Sequence, residues 1–473
     1  MAVPKDQAKI AHLLRRFGLG ASEAEIDFYG KDGIKGAVDR LLDYEDLDEG
    51  FDVEPSVFSN PKNGVVNMRG MQLWWYLRLS ATRHPFEQKM TVFWHDHFAT
   101  SAAKVDVPEA MYNYVETLRQ NATGTFGDLL TKISKNQAML YWLDNNENIK
   151  GTANENFARE VMELFTLGVD DGYTENDIRE IARAFTGWAF GIKRGGRVIP
   201  TQKPNRNTVF LSIPARHDDG EKTIFGKTGD YNGDDVLAML IANPNTAHYI
   251  TKKIWEWFVY PNPSNATVDE YAKKWIAANL DTKELVRAIA NSDEFYSDKA
   301  RRAVVKNPID FCVSAWRSLG IGEAVMDRVR SAGADQNTRR FAGSAGVLES
   351  ATKAMGMELM YPPDVSGWVS GEEWISTGSM VERIKFADRL FGAQSRGILA
   401  LAMRDLPVAG STPEAVVDRL LSVFDADLPK KKVQILYEAA KDNSSGPLTP
   451  ANIEPTLDAV TRLIFGSPEF QFN

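Results

Sequence analysis

Apolar positions recur every three or four residues along most of the chain, the spacing that lays one stripe down a helix. Residues 6–19 place Ile10, Leu13, Leu14 and Phe17 on one face, and Gly18 and Gly20 stop the pattern. Ser22 with Glu25 three residues later is a capping-box pair that opens the next helix. Residues 51–64 carry Pro and Asn and predict an irregular crossing. Two strongly aromatic helices follow, over 66–80 and 86–100, separated by a break at His84-Pro85. Residues 109–135 are helical again, interrupted near Gly124. Further helices are predicted at 234–259, 267–279 and 282–296, and another starts at Asn307-Pro308. An amphipathic stretch covers 321–345, YPPDVSGW at 361–368 is a rigid Pro-Pro loop, and the tail is helical.

The most informative stretch is 154–188, which predicts two helices joined by a tight turn. The first runs from about Glu155 to Leu167 and ends at Gly168, a residue suited to the left-handed position that closes helices. The second opens at Thr174, whose hydroxyl can cap the N–H of Asp177, and runs to about Trp188. Phe157, Val161, Leu164 and Phe165 form the inner stripe of the first helix, with Asn156, Arg159, Glu160 and Glu163 opposite. On the second, Ile178, Ile181, Ala182 and Phe185 face inward, while Asp177, Glu180 and Arg183 share another side.

Between Trp188 and Tyr231 the pattern turns to alternation with turn glycines, which predicts a β-hairpin or irregular lid. The fold expectation is therefore all-α: one large multi-helical domain over 1–473, with a small β-hairpin or loop insertion near 189–216 and a lid or insertion spanning 189–230.

Composition narrows the class of partner. A chain of 473 residues can bury a large core. A net charge of -9 leaves no basic excess for phosphates, so neither nucleic acid nor an anionic membrane is an expected partner. No run of about 18 apolar residues occurs, so no membrane span is expected. No signal-peptide core precedes the first charges, which makes a soluble cytoplasmic protein the expectation, or an exported one if a leader was removed. The single cysteine, Cys312, lies in an apolar run and excludes a disulfide framework.

Candidate chemistry concentrates in two places. His95, Asp96 and His97 sit among Phe93, Trp94 and Phe98, where ionisable groups are costly to bury without partners. On a regular helix His95 and His97 diverge by about 200°, because each residue advances about 100°. In an extended segment they would share a face. Glu160 and Glu163 are the sharpest acids, to be paired with a carboxylate from elsewhere such as Asp96, Glu180 or Asp218. Arg159, Glu180, Arg183, His217, Asp218 and Trp188 are candidate substrate-binding groups. The bland alternative is an ion-pair network of Arg159, Arg179 and Arg183 with those acids, and aromatics that are core. P-loop, dinucleotide-binding, nucleophile-elbow and zinc motifs are absent from the sequence.

The blocks AHLLRRFGLGAS, EQKMTVFWHDHFATS, AMLYWLDN, NENFAREVMELFTLGV, YTENDIREIARAFTGW, HDDGEKTIFG, YPPDVSGW and the closing SPEF resemble a large bacterial family, the domain of unknown function numbered 1800. The resemblance runs nearly end to end. It implies no reaction. It does imply that members are often exported and often encoded beside a sulfatase-like family.

Three functional expectations follow. The leading one is a hydrolase of a polar, carbohydrate-like substrate, with Glu160 or Glu163 as general acid or base and Asp96, His95 or His97 as the second proton-transfer group. The second is a metal-dependent enzyme with His95, His97, Glu160 and Glu163 as ligands of a divalent ion. The third is a non-catalytic binding or scaffold partner of a co-encoded sulfatase-like protein.

Overall fold

In the computed structural model, residues 5–60, 62–169, 172–195, 197–332, 343–391, 410–444 and 446–473 are described. The expected turn at 170–171 and the 333–342 part of the amphipathic stretch lie outside them. The architecture is mostly α-helical, with two small antiparallel sheets inserted between helices.

At the centre is the helix Pro85–His97, in which every residue is buried. A helix so enclosed has no solvent face to keep polar, which is why its apolar residues run all round rather than in one stripe. The aromatic helix Met68–Ala81 flanks it, held at its start by Asn67, whose side chain accepts from the Gly70 N–H. Around these pack the helices Lys5–Phe17, Pro108–Gln120, Pro244–Phe258 and Pro308–Ser318. Phe17, Phe86, Phe258 and Phe295 meet there in stacked and edge-on pairs.

The pair at 154–188 forms, but both helices stop early. The first spans Glu155–Glu163, because Leu164 through Leu167 widen into a π-type turn in which the Leu167 N–H reaches back five residues to the Met162 carbonyl. Gly168 follows with φ +94°, as expected of a helix-closing glycine. The second spans Glu175–Ala184 and begins with a full capping box between Thr174 and Asp177. It ends before Trp188 because the Thr186 hydroxyl bonds the Arg183 carbonyl and the Gly187 N–H is taken by Asn148. Trp188 instead opens a strand.

That strand, β1 (Trp188–Arg194), lies between β2 (Arg197–Pro200) and β3 (Thr208–Ser212). Phe190 faces Phe210 and Ile192 faces Ile199 across the register. A second pair, β4 (Lys222–Ile224) with β5 (Lys227–Gly229), adds a hairpin past the 189–216 stretch but inside the expected 189–230 insertion. No described helix is long and apolar enough to cross a membrane.

Candidate functional site

The two predicted segments meet. His97, at the end of the central helix, donates from Nε2 to the carbonyl of Phe165 at 3.2 Å, just past the Glu155–Glu163 helix. Because the segment is helical, His95 and His97 diverge, and their roles separate.

His95 is fully buried and structural. The Met360 N–H donates to its Nε2 at 3.0 Å, so the proton sits on Nδ1, which points to the Tyr114 hydroxyl at 3.3 Å. The Tyr114 hydroxyl in turn donates a hydrogen bond to the Phe98 carbonyl at 2.5 Å. Burial drives the His95 pKa down to about 3, so the ring is neutral. His97 is likewise held neutral by burial and by the nearby Lys253 charge. The expected ligand set of His95, His97, Glu160 and Glu163 is not assembled. Both His95 nitrogens are engaged, and His97 spends one nitrogen on a carbonyl.

Asp96 is engaged through one oxygen only. It is 9 % exposed, and its Oδ1 accepts the Trp368 N–H at 2.8 Å. Burial raises its pKa to about 6, against the opposing pull of Lys253 and of that hydrogen bond. Its Oδ2 makes no hydrogen bond to a described residue. Lys253, on the Pro244–Phe258 helix, has its own pKa lowered by burial, while Asp96 and Glu256 pull it up. Its ammonium lies 5.7 Å from the Tyr249 ring centre. Tyr249 in turn packs on Gly168, where a Cβ would come within 3.1 Å of the ring.

Glu160 is the free acid of the site. It forms no hydrogen bond or ion pair with a described residue. Its pKa is raised by burial first, then by the charges of Glu163 and Asp364, with Arg159 opposing. Asp364 and Trp368 belong to the same Pro-Pro loop, so one loop adjoins both carboxyls.

The other candidates are engaged in ion pairs, hydrogen bonds or aromatic packing. Arg159 pairs with Glu155, Glu163 and Glu175 in a surface network. Arg183 takes both oxygens of Asp218, at 2.9 and 3.1 Å, and also Glu180 at 2.8 Å. That hydrogen bonding to Arg183 holds Asp218 at a pKa of about 2. His217 donates from Nδ1 to the Thr186 carbonyl at 3.0 Å, clamping its loop onto the helix end. Trp188 is buried against Phe185 and Phe210, and a Cβ on Gly233 would fall 2.5 Å from its ring. It is a core residue, not a stacking platform.

Among the described residues one cluster has metal-ligand spacing: Glu49, His84 and Glu87, with ligand atoms within 4.8 Å of one another. Its charges are already answered, Glu49 by Arg78 at 2.7 Å and Glu87 by Arg119 at 2.8 Å, and His84 donates to the Leu47 carbonyl. A cleft of about 590 Å³ opens elsewhere, lined by Tyr29, Leu47 and Leu319. Two of its arginines are paired, Arg317 with Glu25 and Arg419 with Glu23, so its chemistry is weaker than that at Asp96 and Glu160 despite its size.

The family described as protein of unknown function (DUF1800) matches residues 12–472. The chain belongs to that family. No curated protein and no solved structure matches this DUF1800 chain. Family membership therefore carries no reaction, and the chemistry has to come from the geometry. Lys253, Tyr249, Asp364 and Trp368 of this DUF1800 protein went unmarked as site residues in the sequence. The only available signal was the unusual 361–368 loop, whose prolines announced rigidity but not what it would cover.

Proposed function

We propose that the protein is an acid–base hydrolase of polar, carbohydrate-like substrates, with Glu160 as general acid and Asp96 as the second carboxyl. The observation that carries this reading is the Glu160 carboxyl itself: half-buried, raised in pKa and without a partner, while neighbouring Glu163 is spent on Arg159. Asp96 supplies a second carboxyl with a pKa near the working range and one free oxygen. In the step proposed, protonated Glu160 gives its proton to the leaving-group oxygen as the C–O bond breaks. Water adds to the same carbon and loses a proton to Asp96. Lys253 keeps a share of Asp96 ionised, so that it can act as the base.

The test is a screen of aryl glycosides and oligosaccharides against the wild type, Glu160→Gln, Asp96→Asn and Glu163→Gln. Turnover of a panel member should fall by about 100-fold or more in the first two variants and by less than about tenfold in Glu163→Gln, with no melting temperature lowered. A panel with no substrate, or undiminished turnover in Glu160→Gln, overturns the reading.

A further inference from the structure

A cavity of about 20 Å³, lined by neither carboxyl, lies where the first helix, the helix Pro308–Ser318, the turn at Phe424-Asp425 and the closing segment converge. Lys306 lines it and is only 4 % exposed. The ammonium makes no hydrogen bond or ion pair with a described residue; its neighbour is the face of the Phe470 ring, 3.7 Å away. Arg15, on the same cavity, has a buried Nε without a partner. Two donors of positive charge thus border one small space, with the hydroxyl-bearing Ser314 and Ser318 on its wall.

The charge count around it is mostly positive, although the Asp425 carboxylate also stands on its wall. Arg15, Arg302 and Arg383 all act on Lys306, and Asp425 is the carboxylate that opposes them. Asp425 is already shared between Arg15 and Arg302. Arg383 bonds only neutral acceptors, the Gln471 side chain at 2.9 Å and the Lys306 carbonyl at 2.7 Å. Burying an ammonium is costly unless a counter-charge meets it, and like charges add to that cost. Burial and the arginines accordingly hold the Lys306 pKa well below its ordinary value.

We infer that this cavity is a binding site for one monatomic anion of chloride size, ligated by Lys306 Nζ and Arg15 Nε. Size selects within the class, because a cavity must offer about 10–15 Å³ to hold one water, and this one exceeds that only slightly. Bound there, the ion ties the N-terminal helix to the closing segment, which would make stability depend on halide rather than on ionic strength.

The experiment compares melting in sodium chloride and in sodium gluconate at equal ionic strength, with bromide-soaked crystals read by anomalous scattering. The wild type should melt about 2 °C or more higher in chloride, saturably, and show a bromide peak within hydrogen-bond reach of Lys306 Nζ. Lys306→Met should lose both. If that variant does not fold, the bromide peak in the wild type decides. Equal melting in the two salts, or a cavity holding only water in bromide, overturns the proposal.

Discussion

The backbone N–H of Trp368 donates to Asp96 Oδ1 at 2.8 Å, joining positions 272 residues apart. The contact is possible because the residue before Trp368 is glycine. Gly367 has φ +91°, and a Cβ there would stand 2.5 Å from both the Asp96 carbonyl oxygen and Oδ1. Gly367→Ala should therefore push the loop off Asp96 and cost roughly 2–4 kcal/mol, from the strained backbone and the clash together. Urea unfolding measures the loss; a change below 1 kcal/mol would mean that the loop does not rest on Asp96.

Asp96 itself makes stability pH-dependent. Its pKa of about 6 in the fold lies above the ordinary value of 3.8, so between these limits the folded state holds the proton more tightly. Its contribution thus falls as pH rises from about 4 to 6, by about 3 kcal/mol in all. Asp96→Asn should raise stability at pH 7 by up to that amount and leave it unchanged at pH 4, as read by denaturant titration at the two pH values.

The histidines act with the opposite sign. His95, at about 3, takes no proton in the fold until well after the unfolded chain has taken one, so its contribution is present above pH 6.5 and lost as pH falls toward 3. His12 and His97 are shifted the same way, and three such groups outweigh Asp96. The wild type should therefore lose stability steadily below pH 6.5. His95→Phe should cost roughly 1–3 kcal/mol at pH 7, by orphaning the Met360 N–H, and make the acid slope shallower.

The Arg183–Asp218 contact is a clamp between a helix end and the loop at 217–221. Asp218→Asn should lower stability by about 1 kcal/mol, since both partners are partly solvated. It should change kcat by less than about threefold. A loss as large as that in Glu160→Gln would return Asp218 to the catalytic machinery.

The two-helix unit at 154–188 was legible because its stripes, its cap at Thr174 and its closing Gly168 are all local signals. Where each helix stopped was less so, since Asn148 claims the Gly187 N–H from outside the unit. Within the site, Glu160 could be singled out but not separated from Glu163. The two face the same way on one helix, and the difference is that Arg159 and Glu175 lie toward Glu163. Similarly, nothing local tells His95 from Asp96 or His97: the first is tied to Met360, the second to Trp368 and the third to Phe165.

By itself the sequence determined the helical class, the place of the β insertion and the residues able to titrate, because periodicity, capping and side-chain chemistry are properties of short segments. The tertiary structure decided which of those residues are spent and which are free. Burial, ion pairing and a loop closing over Asp96 from 272 residues away depend on what folds against each side chain, and no local pattern encodes that.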